Sequence, residues 1–101
     1  TVNPLGLEQE ETLPAEFVLE QNYPNPFNPV TNIRFSIPEA GFTSIKIYNL
    51  LGQEVAVLID EFLNPGTYSF NFDASSLSSG VYLYRLKVND FSSSKKMSLI
   101  K

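Results

Sequence analysis

Ser92, Ser93 and Ser94 run directly into Lys95 and Lys96, so the residue types of a serine–lysine nucleophile stand together near the end of this 101-residue chain. Their spacing works against that chemistry. Neighbours in a strand point to opposite faces, and a lysine base needs burial to lower its pKa. The base must also lie within hydrogen-bond reach of the hydroxyl it activates. No imidazole can replace the lysine, because the chain has no histidine, and a thiolate nucleophile is excluded because it has no cysteine. The same absences remove disulfides and Cys/His zinc sites. Among the carboxylates only Glu10-Glu11 and Asp60-Glu61 are adjacent, and nothing matches the spacing of a calcium loop. A glycosidase-like pair drawn from Asp60, Glu61, Asp73 and Asp90 has no further feature pointing to it. No glycine-rich loop follows a strand to open a helix, so no phosphate cradle is expected. The expectation is a non-enzyme without catalytic, metal or cofactor residues.

What remains is recognition chemistry. Asn22-Tyr23-Pro24-Asn25-Pro26-Phe27-Asn28-Pro29 places three prolines within six residues. Proline fixes φ and removes a donor, and residues before proline are pushed to extended backbone. The segment should be stiff, extended and a poor partner in a ladder. Tyr23 and Phe27 can plug into the core or into a partner. One reading is a rigid crossover that pins the fold; the other is a recognition loop with a preorganised backbone.

Charge is unevenly spread. Eleven acids oppose seven bases, for a net charge of −4. Thr1 to Ile33 holds five acids and no base, whereas Arg85 to Lys101 holds five bases and one acid. Net acidity argues against nucleic acid, which needs a concentrated basic surface. Lysines in the tail guard a strand edge or meet a partner.

These residues must be positioned by strands. Residues 1–15 read as a flexible acidic linker and residues 16–101 as one domain. The linker has prolines, glycine and acids with few apolar residues, too few to offset its ordering entropy. Beyond it, Phe17-Val18-Leu19 is a short apolar run. Ile33, Phe35 and Ile37 alternate with polar residues, as do Ile45 and Ile47. Val55 to Ile59 is continuously apolar. Tyr68, Phe70 and Phe72 form the next alternating set, followed by Tyr82, Tyr84, Leu86 and Val88, and then by Met97, Leu99 and Ile100. Turn residues separate the runs: Pro38 to Gly41, Leu50-Leu51-Gly52, Asn64-Pro65-Gly66, Ser78-Ser79-Gly80 and Asn89-Asp90. Leu50-Leu51 and Ser75 to Leu77 each suit a single helical turn. The expected fold is all-β, an immunoglobulin-like antiparallel β-sandwich of about seven strands, without the Cys…Trp…Cys pin. Hydrophobic residues make up 43% of the chain, enough for one core. The chain begins at threonine with no leader and no apolar run of about 20 residues, so it is expected to be a piece of a longer protein and not to insert in a membrane.

From Phe17 to Lys101 the chain resembles the type A C-terminal sorting domains of type IX secretion cargo in Bacteroidetes and related bacteria. The resemblance rests on Leu19-Glu20-Gln21-Asn22-Tyr23-Pro24-Asn25-Pro26-Phe27-Asn28-Pro29, on Ile45 to Gly52, on Pro65-Gly66-Thr67-Tyr68, on Leu77-Ser78-Ser79-Gly80-Val81-Tyr82 and on the basic ending Lys95 to Lys101. Two details depart from better-known members. Pro65 abuts Gly66, and Lys96 and Lys101 stand five apart instead of four.

The resemblance implies an address label on an upstream cargo domain of the same polypeptide. The type IX translocon would recognise it in the periplasm and pass the cargo across the outer membrane to the cell surface or the exterior. A sortase-like protease would then cut the linker. The residues it marks for recognition are Pro24, Asn25, Pro26, Phe27, Asn28, Pro29, Gly66, Tyr68, Gly80, Tyr82, Lys95, Lys96 and Lys101. The alternative is an accessory binding or spacer module of an extracellular enzyme, with Tyr23, Phe42, Phe62 or Phe91 as a sugar platform. Edge pairing into a dimer stays open.

Overall fold

The computed structural model describes residues 8–10 and 13–101. Every run of period-two alternation becomes a strand, and no helix occurs among the described residues. The strands are β1 (Glu8–Glu10), β2 (Val18–Leu19), β3 (Val30–Ile37), β4 (Gly41–Tyr48), β5 (Glu54–Leu63), β6 (Gly66–Asp73), β7 (Gly80–Val88) and β8 (Phe91–Leu99). They form two four-stranded antiparallel sheets, ordered β1-β6-β3-β2 and β5-β4-β7-β8. This is the expected β-sandwich. The seven expected runs are β2 to β8. The extra strand, β1, lies inside the stretch read as a flexible linker, with Glu8 opposite Ser69 and Glu10 opposite Thr67 on β6. Main-chain groups can pair without apolar side chains, so composition gave no sign of it. The remainder of that linker reading falls partly on residues 1–7, 11 and 12, which lie outside the described residues.

The inward positions of both sheets make one core. Ile33, Phe35 and Ile37 of β3 face Ile45 and Ile47 of β4, with Tyr84, Leu86 and Val88 of β7 and Met97 of β8, all fully buried. Phe35 stacks on Tyr68 with ring centres 5.4 Å apart. The apolar run Val55 to Ile59 falls on the edge strand β5. Register shifts at Ile45/Lys46 and Ile47/Tyr48 interrupt its ladder with β4, and Val55 and Val57 are exposed. Bulges of this kind twist an edge away from flat pairing.

Turn chemistry holds the strands in register. Tyr68 donates its hydroxyl to the carbonyl of Asn64 at 2.6 Å, and Tyr82 donates to that of Ser78 at 2.7 Å. Both bonds reach back four residues, so the two Gly-x-Tyr motifs perform one job: each tyrosine pins the turn that feeds its own strand. The Leu50-Leu51 turn is not helical. Asn49 closes it, its Oδ1 accepting from the main-chain N–H of Leu51 and of Gln53, while Gly52 takes φ 82°. Asn89 (φ 52°) occupies the β7–β8 hairpin and donates to the carbonyl of Ala40 at 3.2 Å. It lies so close to Gly41 that a Cβ there would sit 2.3 Å from its Oδ1.

Candidate recognition surface

The proline segment is anchored at its base by a buried polar network. Asn22, only 2% exposed, donates its main-chain N–H to the Tyr84 hydroxyl at 2.7 Å. That hydroxyl in turn donates to the carbonyl of Glu20 at 2.6 Å. The Asn22 side chain donates to Thr31 Oγ1 at 3.0 Å and to the Pro24 carbonyl at 3.1 Å, and Thr31 Oγ1 donates to the same carbonyl at 2.8 Å. No buried side-chain polar atom among the described residues lacks a partner. Burial pushes the Tyr84 phenol up to about 12; the Glu20 charge adds to the rise, and the Asn22 N–H opposes it. Burial raises the Tyr68 phenol as well.

Above that base the segment lies along the outer edge of β8. The β7–β8 register pairs Val88 with Phe91, so the even-numbered residues of β8 aim their main-chain groups away from β7. Three residues of the loop region meet them. Gln21 Nε2 donates to the Lys96 carbonyl at 2.6 Å. Asn25 Oδ1 accepts from the Ser98 N–H at 2.9 Å. Phe27 donates its N–H to the Ser98 carbonyl and accepts from the Ile100 N–H, both at 2.9 Å. All three peptide bonds preceding the prolines are cis. The segment was expected to be a poor ladder partner, yet it pairs through residues that keep an N–H: Phe27, between two prolines, bridges Leu99 in parallel, and Tyr23, ahead of the first, bridges Asn32 antiparallel.

The recognition candidates divide by exposure. Phe27 is buried, its ring 6.4 Å from that of Phe72, and holds the loop to the core. Pro24, Asn25, Pro26 and Asn28 are exposed, with Pro29 half-buried, and Tyr23 beside them is 82% exposed. Lys96 is exposed on the outward side of β8 and Lys95 is half-buried. Lys101 closes the tail onto the loop before β7, its Nζ donating to the Ser75 carbonyl at 2.6 Å and its N–H to Ser79 Oγ at 3.0 Å. The Ser75 hydroxyl and N–H hold the Asp73 carboxyl below the usual range, and Lys101 adds to this. Gly80 and Tyr82 pair with Leu99 and Met97, so they support the same strand. Gly66 and Tyr68 do not join them. Gly66 pairs with Ile37, at the far end of the β3–β6 ladder from Val30, where the proline segment enters.

Sequence reading missed the residues that hold the surface together. Gln21, Asn22, Thr31 and the Tyr84 hydroxyl carry no local signal for this role, because their partners lie up to 75 residues away. The one hint is a tyrosine at a fully inward strand position, since a buried hydroxyl needs a partner. Of the aromatics considered as a sugar platform, Tyr23, Phe42 and Phe62 are exposed. Phe91 is not free, since it stacks on Phe17 with ring centres 4.8 Å apart. No three ligating side chains converge among the described residues.

Comparison with known proteins fits this geometry. No curated protein matches the chain. The family model described as the secretion system C-terminal sorting domain matches residues 21–101, beginning at Gln21, whose side chain bonds to the Lys96 carbonyl of β8. The proline loop, both Gly-x-Tyr corners and the terminal strand all fall within that span. The chain therefore belongs to the family of C-terminal sorting domains that serve as signals for type IX secretion.

Proposed function

We propose that residues 16–101 act as a non-catalytic address label read by the type IX translocon at one composite surface, made of the exposed proline loop and the terminal strand beneath it. The observation that carries this reading is the hydrogen bonding of Asn25 and Phe27 to Ser98 and Ile100. Two segments about 70 residues apart in sequence thereby present themselves to a partner as one object. Pro24, Pro26 and Asn28 supply a rigid rim with little ordering cost on binding. Lys96 supplies charge that speeds encounter. Phe27 and Tyr82 act by holding this surface in shape. The label travels through the periplasm with its cargo, and a sortase-like protease cuts the linker after export, releasing the cargo at the surface.

The test fuses the full chain to an exported reporter in a host with this secretion system. The reporter should reach the surface, and removal of Met97 to Lys101 should trap it in the periplasm. Full secretion of the truncated fusion would refute the composite surface.

A further inference from the structure

We propose that the outward face of the β5-β4-β7-β8 sheet is a second docking surface, fitted to an acidic protein patch that bears an apolar side chain. This deepens the reading of the chain as a label recognised by protein machinery and rests on it. Lys46 stands directly opposite Arg85, Ser44 opposite Lys87 and Leu83 opposite Lys96. All four cations alternate with core residues and so share the outward side. Like charges directly opposite one another in a sheet are destabilising, so the fold gains nothing from Lys46 beside Arg85. Among the described residues of these four strands two acids share this face: Glu54, paired with Lys46 at 3.5 Å, and Asp60. Against them stand four of the chain's seven bases, so the strands of this face present +2 in a chain of net charge −4.

The charge is also presented in a fixed form. The Arg85 guanidinium lies over the Tyr48 ring, 5.3 Å from its centre, and its Nε donates to Ser94 Oγ at 3.2 Å. A guanidinium held this way loses little freedom when it grips a carboxylate. Beside the cations Phe42 and Phe62 are paired across β4 and β5, 58% and 62% exposed. A groove of about 390 Å³ beside Phe42 is lined by Phe42, Ser44, Lys46, Asp60, Lys87 and Asn89. It offers Lys46 and Lys87 to a carboxylate and Phe42 to its apolar neighbour. Aromatic and arginine anchors inside a charged rim are the usual make-up of a protein interface.

The test compares the full-chain reporter fusion with Arg85→Glu/Lys87→Glu, and with Arg85→Gln/Lys87→Gln in case charge reversal unfolds the domain. Secretion should fall about tenfold or more, with circular dichroism unchanged. Purified full chain should bind poly-L-glutamate at low salt, and the variants should lose that binding. Wild-type secretion by a folded variant would overturn the inference. So would binding of heparin or phosphatidylglycerol vesicles through Arg85 and Lys87 with none of poly-L-glutamate. Removal of Met97 to Lys101 separates the two readings. If truncation blocks secretion and charge reversal does not, this face alone is wrong; if truncation has no effect, the composite surface is wrong.

Discussion

Replacing Tyr84 with phenylalanine isolates the bond that sets the proline loop on the sandwich. The ring stays, so core packing is preserved, but two partners are orphaned: the Asn22 N–H and the Glu20 carbonyl. Asn22 is buried, and a buried group left unsatisfied costs about 1–3 kcal/mol. Glu20 is exposed, so water can serve its carbonyl, and its share is small. The expected loss is about 1–3 kcal/mol. For a domain of this size that lowers Tm by roughly 4–24 °C. Urea titration followed by circular dichroism measures it. A second readout is pH. The Tyr84 phenol is raised from 10 to about 12 in the folded chain, so the folded state favours the neutral form. That contribution is complete below pH 10 and fades as pH rises through about 12. The wild type should lose stability across this window, and Y84F should lose less of it. A loss below about 0.5 kcal/mol, with an unchanged alkaline slope, would refute the role given to the hydroxyl.

Three further outcomes follow from the same geometry. Phe27→Ala should cost about 3–5 kcal/mol, as expected for a buried aromatic, and hydrogen exchange should show the Ile100 amide losing protection; full protection would mean the loop docks without its plug. Gly41→Ala should cost about 1–3 kcal/mol by driving Asn89 off the Ala40 carbonyl, and adding Asn89→Gly should recover most of it, since glycine accepts φ 52°; additive losses in chemical denaturation would refute the clash. Asn49→Ala should cost about 1 kcal/mol through the two main-chain bonds it accepts, with no effect on secretion if the Leu50-Leu51 turn takes no part in recognition.

The parts of this molecule legible in sequence are those set by neighbours along the chain. Ile33, Phe35 and Ile37 announce a strand because alternation is a local property, and Asn89-Asp90 announces a hairpin because both residues tolerate left-handed backbone. Val55 to Ile59 reads as a strand, but no period tells an edge from a centre, and the structure puts it on an edge with two bulges. The stiffness of Pro24 to Pro29 follows from proline alone. Its docking does not, because Asn25 meets Ser98 across 73 residues. The Gly-x-Tyr motifs are plain as patterns, whereas their use as turn pins appears only once each hydroxyl has a partner. β1 was hidden for the opposite reason: it adds main chain to β6 without a recognisable run of side chains.

The closed edge at β8 decides how a partner can read this label. A free edge strand invites any extended chain to add to it, a hazard for an object that must travel without misassembly. Here Gln21, Asn25 and Phe27 occupy the Lys96 carbonyl, both main-chain groups of Ser98 and the Ile100 N–H. A partner adding a strand at this point must first break these four bonds. At about 0.5–1.5 kcal/mol net each, that is about 2–6 kcal/mol before any new contact forms. It must also withdraw Phe27 from the core or tear the loop from its plug. A partner that rests on the loop and reads its exposed side chains bears none of this cost. The geometry therefore favours recognition across the surface over insertion into the sheet. It also gives the prolines a physical role, since residues without an N–H present a rim that cannot itself be recruited as a strand.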